Sequence, residues 1–266
     1  MEKTFQYHST NITYNIYGEG DVVVLLHGFG EDSRIFNHQV NFLTKYYKVL
    51  VPDLPGSGKS DLLTKENVII DDYAECLHDL LQHEGITSCK LLGHSMGGYI
   101  TLAFAEKYPQ MLTGFGLIHS SASADNEEKK KNRAQGIKLI NEYGAFPFLK
   151  NTIPNLFGQA FKKNNPGAVE ELVEQSRQFS KEALIQYYTA MMNRPGRIQV
   201  LENASVPILF VLGNEDVAAP LKIVLNQVHL PSISHIHILD NVGHMGMLEA
   251  PDQLNNFMLE FVSAEL

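Results

Sequence analysis

A serine stands between two glycines in the segment Gly-His-Ser-Met-Gly at residues 93–97. An apolar run leads into this segment, and a helix-favouring run follows it as far as Tyr108. The pattern predicts a strand, a sharp turn and a helix, with Ser95 at the tip of the turn. A turn of this kind lifts the hydroxyl above the edge of a sheet and directs the next backbone N–H, that of Met96, toward the same space. These residues therefore indicate a nucleophilic serine with a donor for a developing negative charge.

A serine hydroxyl is a weak nucleophile near neutral pH, so it needs a base for its proton and a carboxylate that orients the base. The chain has 11 histidines, so position must select among them. His244 follows the predicted strand that ends at Leu239, and Asp216 follows the one that ends at Leu212. Because functional groups gather at the carboxyl ends of parallel strands, we predict that His244 is the base and that the acid is Asp216 or its neighbour Glu215.

Two kinds of segment alternate along the chain and must position these groups. Apolar or alternating runs predict strands, and segments with apolar residues at helical spacing, such as residues 69–84, separate them. This alternation predicts a mostly parallel sheet with helices on both faces and right-handed crossovers. The predicted strands span residues 12–17, 22–26, 48–51, 89–93, 114–118, 206–212 and 236–239.

The middle of the chain, residues 121–203, breaks this alternation. It holds helical patterns without buried strands, so we predict a helical insertion between two parts of one sheet domain, residues 1–120 and 204–266. The insertion opens with a charged run at 125–133, which is typical of a solvated helix start.

Composition and charge restrict the classes of protein. The chain of 266 residues is 44% hydrophobic, which is enough to bury a full core. Its net charge of −9 argues against nucleic acid and against an anionic membrane surface as partners. Cys76 and Cys89 lack metal-type spacing, and no disulfide framework is expected. The first residues contain no long apolar run, so we expect no signal peptide, no membrane span and a cytoplasmic location.

The segment Gly-Ser-Gly-Lys-Ser at 56–60 has the letters that end a phosphate-binding loop. That loop requires a glycine five residues before Gly58, where this chain has Asp53, and no helical pattern follows. We therefore interpret the segment as a structural turn. The sequence shows no metal-binding constellation, and no cofactor is expected.

Five segments, in the same order, give the chain a resemblance to the α/β-hydrolase superfamily, in the branch of capped serine esterases, lipases and C–C hydrolases. The resemblance runs from about Tyr14 to the C-terminus and weakens through the middle third. The segments are residues 27–30, residues 53–60, the serine turn at 93–97, residues 213–216 with Pro220, and residues 243–245.

This resemblance implies an α/β-hydrolase fold with an eight-stranded, mostly parallel sheet and a helical cap formed by residues 121–203. It implies the chain order serine, acid, histidine, and the family's Gly-x-x-Asp pattern selects Asp216 over Glu215. It also implies that the oxyanion hole combines the Met96 N–H with the Phe29 N–H, from the loop that follows the strand at 22–26.

Together, the residues and the resemblance predict a serine hydrolase in which Ser95 attacks a carbonyl carbon, His244 transfers the proton and Asp216 orients His244. The same groups could cleave an ester, a thioester, a lactone or a C–C bond beside a ketone. A small apolar or aromatic substrate is expected, because the cap is rich in aromatic and apolar residues. The predicted substrate-binding residues are Phe29, His119, Phe146, Phe157, Tyr187 and Met191.

An alternative of another class is a ligand receptor or signalling protein that retains the three catalytic residues with little turnover. Fold alone does not decide between this alternative and an enzyme. The sequence also leaves a homodimer open.

Overall fold

One sheet of eight strands runs through the computed structural model, which describes residues 1–264. The strands are β1 (Glu2–Tyr7), β2 (Thr10–Tyr17), β3 (Val22–Leu26), β4 (Lys48–Pro52), β5 (Cys89–His94), β6 (Leu112–Ile118), β7 (Ile208–Gly213) and β8 (Ser234–Leu239). Their order across the sheet is β1-β2-β4-β3-β5-β6-β7-β8. β1 and β2 pair antiparallel with their neighbours, and the other strands are parallel. The predicted α/β fold with a mostly parallel sheet is therefore confirmed.

Helices flank the sheet and fill the chain between β6 and β7. They are α1 (Asn37–Leu43), α2 (Ile70–His83), α3 (Met96–Lys107), α4 (Glu127–Tyr143), α5 (Ala145–Thr152), α6 (Gln159–Asn164), α7 (Pro166–Gln175), α8 (Lys181–Asn193), α9 (Ile198–Glu202), α10 (Leu221–Leu225), α11 (Gly246–Glu249) and α12 (Pro251–Ser263). α2 packs against α3, and α1 packs against α12, so the helices outside the insertion form separate groups. Within residues 1–264, no helix combines the length and the apolar character needed to cross a bilayer.

The strands in the middle of the sheet are apolar on both faces. Nearly every residue of β3, β5 and β7 is buried, as expected for parallel strands that helices cover on both sides. Leu26 of β3 lies beside Gly93 of β5, and Gly93 lies beside Leu117 of β6. The loops after these three strands therefore meet at one edge of the sheet.

The first strand is absent from the sequence-based prediction. Glu2–Tyr7 form β1, which pairs with β2 and places Phe5 opposite Ile12. Residues of β1 alternate between exposed and half-buried positions. The sequence signal is weak because a half-exposed edge strand needs an apolar residue only at every second position.

The helices between β6 and β7 pack onto the loops that follow β3 and β4. Tyr187 of α8 donates a hydrogen bond from its hydroxyl to the backbone oxygen of Pro55 over 2.7 Å. Leu149 of α5 lies so close to Gly30 that a Cβ on that glycine would be 2.8 Å from the leucine side chain. The inserted helices thus cover the edge of the sheet at which the parallel strands end.

The charged run at 125–133 is only partly solvated, which corrects the interpretation from sequence. Asp125 is 4% exposed and forms buried ion pairs with Arg133 and with Arg194. Lys129 lies between Asp125 and Arg133 in the sequence, and its Nζ donates a hydrogen bond to the backbone oxygen of Ala218 over 3.0 Å. Positions 125, 129 and 133 follow helical spacing. The sequence does not predict their inward orientation, because these residues are charged and give no apolar periodicity.

Candidate active site

Ser95 lies at the tip of a sharp turn between β5 and α3. Its backbone has φ of +51° and ψ of −113°, a region that residues with side chains rarely adopt. A Cβ on Gly93 would lie 2.2 Å from the backbone oxygen of Gly97, and a Cβ on Gly97 would lie 2.3 Å from that of Leu26. Only glycine at these two positions lets the helix begin directly after the strand, with Ser95 half-buried at the edge of the sheet.

Asp216 and His244 lie together on the loops after β7 and β8. His244 Nδ1 donates a hydrogen bond to Asp216 Oδ2 over 2.8 Å. Asp216 Oδ1 accepts hydrogen bonds from the N–H groups of Ala218 and Ala219, each at 2.8 Å. Burial would raise the pKa of the Asp216 carboxyl, but the neighbouring His244 and the hydrogen bonds outweigh burial and hold this pKa well below its ordinary value. Asp216 is therefore a carboxylate in the folded protein.

The second candidate acid, Glu215, is turned toward another part of the chain. Its Oε2 accepts a hydrogen bond from the N–H of Gln159, at the start of α6, over 2.7 Å. The structure thus brings the carboxylate of Asp216 to the imidazole of His244, and it brings Glu215 to the inserted helices.

His244 is buried, and main-chain contacts hold its loop. The His244 N–H donates to the backbone oxygen of Leu156 over 2.6 Å, and Glu249 accepts the N–H of Gly243 at 3.1 Å. Burial would lower the pKa of His244, but the charge of Asp216 and its hydrogen bond outweigh burial and raise this pKa above its ordinary value. Because Nδ1 donates to Asp216, Nε2 of the neutral ring is the nitrogen that can accept a proton.

The loop of His244 and the turn of Ser95 are neighbours, joined through His94. His94 Nε2 donates a hydrogen bond to the backbone oxygen of His244 over 2.9 Å, and the two ring centroids lie 4.8 Å apart. Within residues 1–264 the Ser95 hydroxyl forms no hydrogen bond. Proton transfer from Ser95 Oγ to His244 Nε2 requires these two atoms to come within hydrogen-bond reach.

The loop after β3 carries Phe29 and lies against Ser95. A Cβ on Gly28 would be 3.1 Å from the Ser95 Cβ, so a side chain at this position would crowd the nucleophile. His27 supports the loop from behind. Its Nε2 accepts a main-chain N–H from the loop after β4 over 2.9 Å, and its Nδ1 donates to the Gly28 oxygen over 2.9 Å.

Three of the predicted substrate-binding residues lie near the junction of the Phe29 loop and α8. Phe29 stacks on Tyr188, with ring centroids 4.2 Å apart and an interplanar angle of 6°. Tyr187 and Met191 are almost completely buried in the hydrophobic core. Phe29 and Tyr188 are only partly buried, so they form a partly exposed aromatic pair where the loop next to Ser95 meets α8.

The other three predicted substrate-binding residues have different surroundings. Phe146 is half-buried beneath the guanidinium of Arg177, which lies 3.7 Å from the ring centroid. Phe157 is 3% exposed and stacks on a second phenylalanine, in α6, at 5.4 Å. His119 is buried beside the candidate acid and donates from Nδ1 to Asp216 Oδ2 over 3.1 Å.

Two buried polar side chains next to these groups escape the sequence analysis. His94 Nδ1 lies 2.9 Å from Oε2 of Glu31, and the same oxygen accepts the N–H of Gly28 over 2.8 Å. His94 could be noticed in the sequence, because it is a histidine at the end of an almost entirely buried strand. Glu31 has no such signal, because it lies in a loop among other polar residues.

Within residues 1–264, Asp216, His119 and His244 form the group that could bind a metal ion, since their ligand atoms lie within 4.8 Å of one another. Two imidazoles and a carboxylate suit several transition metals. Here, however, both Nδ1 atoms lie at hydrogen-bond distance from one carboxylate oxygen, so an N–H group replaces the lone pair that a metal between these three side chains would need from each Nδ1. The arrangement fits a hydrogen-bonded acid better than a metal site.

Comparisons with known proteins bear on the fold and on the relatives of this chain. A family model described as alpha/beta hydrolase fold matches residues 21–137. The 2-hydroxy-6-oxononadienedioate/2-hydroxy-6-oxononatrienedioate hydrolase of Burkholderia vietnamiensis is 28% identical over 263 residues, which cover 94% of this chain and 90% of that protein. Lipase 1 of Psychrobacter immobilis is 28% identical, and the match covers 88% of this chain and 74% of that protein.

Solved structures extend the agreement to the whole fold. The structure of a thermophilic esterase from Thermogutta terrifontis superposes with a TM-score of 0.92 at 25% sequence identity, and the match covers 98% of each chain. Fold, family match and relatives all support the resemblance to the α/β-hydrolase superfamily seen in the sequence, and the chain has the α/β-hydrolase fold.

Proposed function

We propose that this hydrolase acts through Ser95 as nucleophile, His244 as general base and Asp216 as the acid that orients His244. One observation carries the proposal: the strained turn of Ser95 stands beside a buried, hydrogen-bonded Asp216–His244 pair. A nucleophilic hydroxyl at the tip of a turn and an imidazole held in one tautomer are two requirements of nucleophilic acyl transfer.

The reaction follows from these positions in two steps. His244 Nε2 takes the hydroxyl proton while Ser95 Oγ bonds to the substrate carbonyl carbon, and the same proton then passes to the leaving group as an acyl-enzyme forms. A water molecule then adds to the acyl carbon and gives its proton to His244. Release of the acid product returns that proton to Ser95 Oγ. Asp216 stabilises the imidazolium that exists between these transfers.

We assign the oxyanion hole to the backbone N–H groups of Phe29 and Met96. The Met96 N–H begins α3, where the helix dipole adds positive partial charge, and the Phe29 loop is held against Ser95 by His27 and Gly28. Removal of a single donor of this kind lowers kcat by roughly 10²–10³.

The substrate that we propose is a small ester with an apolar or aromatic group. The partly exposed pair of Phe29, whose loop lies against Ser95, and Tyr188 supports this choice. The relatives support an acyl or carbonyl substrate in general, because they include an esterase, a lipase and a hydrolase of oxo-acids. A thioester, a lactone or a C–C bond beside a ketone would use the same groups.

We also propose that residues 121–203 act as a cap on a core made of residues 1–120 and 204–266. The hydrogen bond from Tyr187 to Pro55 and the contact of Leu149 with Gly30 support this division, because both join inserted helices to loops at the carboxyl edge of the sheet. The cytoplasmic location and the homodimer stay predictions.

A panel of p-nitrophenyl esters of increasing acyl length tests the proposal. We expect a burst of p-nitrophenol followed by steady turnover with the wild-type protein, and background rates with Ser95→Ala. Ser88→Ala is the matched control, because Ser88 is exposed and lies at the other end of β5. Equal activity in Ser95→Ala and the wild type would remove the mechanism.

A receptor that retains the three residues is not favoured, because the similar proteins reported above are named as a hydrolase, a lipase and an esterase. In the ester assay, one stoichiometric release of p-nitrophenol without further turnover would support the receptor. Sustained turnover that requires Ser95 would exclude it.

A further inference from the structure

A buried glutamate and a buried histidine lie behind the proposed active site and contact the loop of Phe29 and the loop of His244. Glu31 belongs to the loop of Phe29, and His94 directly precedes Ser95. The side chains of His94 and Glu31 are 0% and 4% exposed. Neither residue takes part in the reaction as described above. Burial of two polar groups costs free energy, so their presence here needs another explanation.

Both ring nitrogens of His94 face acceptors. Nε2 lies 2.9 Å from the backbone oxygen of His244, which can only accept. Nδ1 lies 2.9 Å from Glu31 Oε2, which already accepts the N–H of Gly28 over 2.8 Å. A neutral imidazole has one N–H and cannot donate to both partners. All three contacts are satisfied when Nε2 carries one proton and a second proton lies between Nδ1 and Glu31 Oε2, and this second proton belongs to His94 when Glu31 is a carboxylate.

The electrostatic surroundings agree with this assignment. Burial would raise the pKa of Glu31, but His94 and the Gly28 hydrogen bond outweigh burial and lower this pKa. The other titratable groups around the pair are His27 on the Glu31 side and two imidazoles on the His94 side. The rings of His244 and His119 lie 4.8 and 6.0 Å from that of His94, and Asp216 lies beyond them.

We infer that Glu31 and His94 are positioning residues, whose carboxylate–imidazolium pair holds the loop of Phe29 and the loop of His244 in place around Ser95. The inference rests on the proposed function, because it assigns these loops to the oxyanion hole and to the base. A buried ion pair is costly to desolvate and is often no more stabilising than an apolar pair. The role that we assign to this pair is therefore to fix the relative position of the two loops, not to stabilise the fold.

Glu31→Gln is the first test, because glutamine keeps the shape of the side chain and removes its charge. A neutral His94 beside an amide cannot keep all three contacts, so the Phe29 loop or the His244 loop must shift. We expect kcat for the ester substrate to fall about 10- to 100-fold, since a small misplacement of catalytic groups has effects of this size. KM should change less than about threefold, because the transition state uses these loops more than the bound ester does.

Glu84→Gln is the matched control. Glu84 is 13% exposed and pairs with Lys3 at 3.0 Å, at the edge of the sheet that carries β1. This variant also removes a hydrogen-bonded carboxylate, so it should lose stability and keep kcat within about twofold, as expected for a change outside the site. A kcat in Glu31→Gln that equals that of Glu84→Gln would overturn the inference.

The protonation state of His94 is a second test that does not depend on activity. Long-range ¹⁵N–¹H correlation spectra of the histidine rings, assigned with His94→Gln, should show a proton on each ring nitrogen of His94, because each nitrogen faces an acceptor. Glu31→Gln should convert it to a single neutral tautomer. A neutral His94 in the wild type would overturn the inference, and this result stands even if Glu31→Gln fails to fold.

The two proposals fail in different ways. Activity that survives in Ser95→Ala removes the serine mechanism, whereas the spectrum of His94 in that variant still reports the state of the pair. Normal dependence on Ser95 together with a neutral His94 removes only the positioning role.

Discussion

His119 and His244 donate to the same oxygen of Asp216, each from its Nδ1, over 3.1 and 2.8 Å. The other carboxylate oxygen accepts two main-chain N–H groups, so the acid makes all the hydrogen bonds that a carboxylate commonly accepts. Burial lowers the pKa of His119, which keeps that ring neutral and leaves Nδ1 as its donor. Asp216 is thus fixed from both sides before a substrate binds.

Replacing His119 should therefore remove one hydrogen bond from the Asp216 carboxylate without removing a contact with the substrate. We expect His119→Leu to lower the free energy of unfolding by about 1–3 kcal/mol, because it removes a buried hydrogen bond to a charged group. His119→Asn places an amide N–H near the position of Nδ1 and should recover part of that loss. Urea denaturation measures both changes, and equal stabilities of the two variants would contradict the role of the Nδ1 donor.

Asp216→Asn should be far more damaging to catalysis than to folding. An amide can donate to His244 Nδ1 and so favour the wrong tautomer, and the comparable change in a serine protease lowers kcat about 10⁴-fold. Glu215→Gln is the matched control, because Glu215 binds the N–H of Gln159 and not the imidazole. Steady-state kinetics on one ester measure both variants. If Glu215→Gln proved as inactive as Asp216→Asn, the assignment of the acid would be wrong.

The pH dependence of kcat/KM follows from the raised pKa of His244. A general base must be unprotonated, so activity should fall as the pH decreases through a pKa that lies above about 6.5, the ordinary histidine value. Asp216 is the main group that raises this pKa, so the residual activity of Asp216→Asn should persist to lower pH. A pH profile with the same acidic limb in both proteins would show that the limb reports another group.

The proposed catalytic residues could be selected from the sequence because each leaves a local trace in the chain. Ser95 stands between glycines that a tight turn requires, and Asp216 and His244 each follow a buried strand by a few residues. The same holds for the central strands, whose apolar runs reflect burial on both faces. Local patterns of this kind reveal which residues reach the carboxyl edge of the sheet.

The residues that support the site could not be found in this way, because their partners are distant in the chain. Glu31 meets His94 across 63 positions, and His119 meets Asp216 across 97. His119 is an instructive case: its place at the end of a strand was visible, but only the structure shows that the ring faces the acid. Contacts between charged residues lack the apolar periodicity on which sequence interpretation depends.

The glycines around Ser95 give the most direct test of the turn itself. Gly93→Ala would place a Cβ 2.2 Å from the backbone oxygen of Gly97, and a main-chain atom cannot move aside as the end of a side chain can. We expect a loss of about 3 kcal/mol or more in the free energy of unfolding, at the upper end of overpacking effects, together with loss of esterase activity.

Gly167→Ala is the matched control, since a Cβ at Gly167 meets no atom within 4 Å and the residue lies in α7. Alanine there should be neutral or stabilising, because it favours the helix. Urea denaturation of the two variants decides the question: similar stabilities would show that the turn tolerates a side chain, and the strained position of Ser95 would then need another cause.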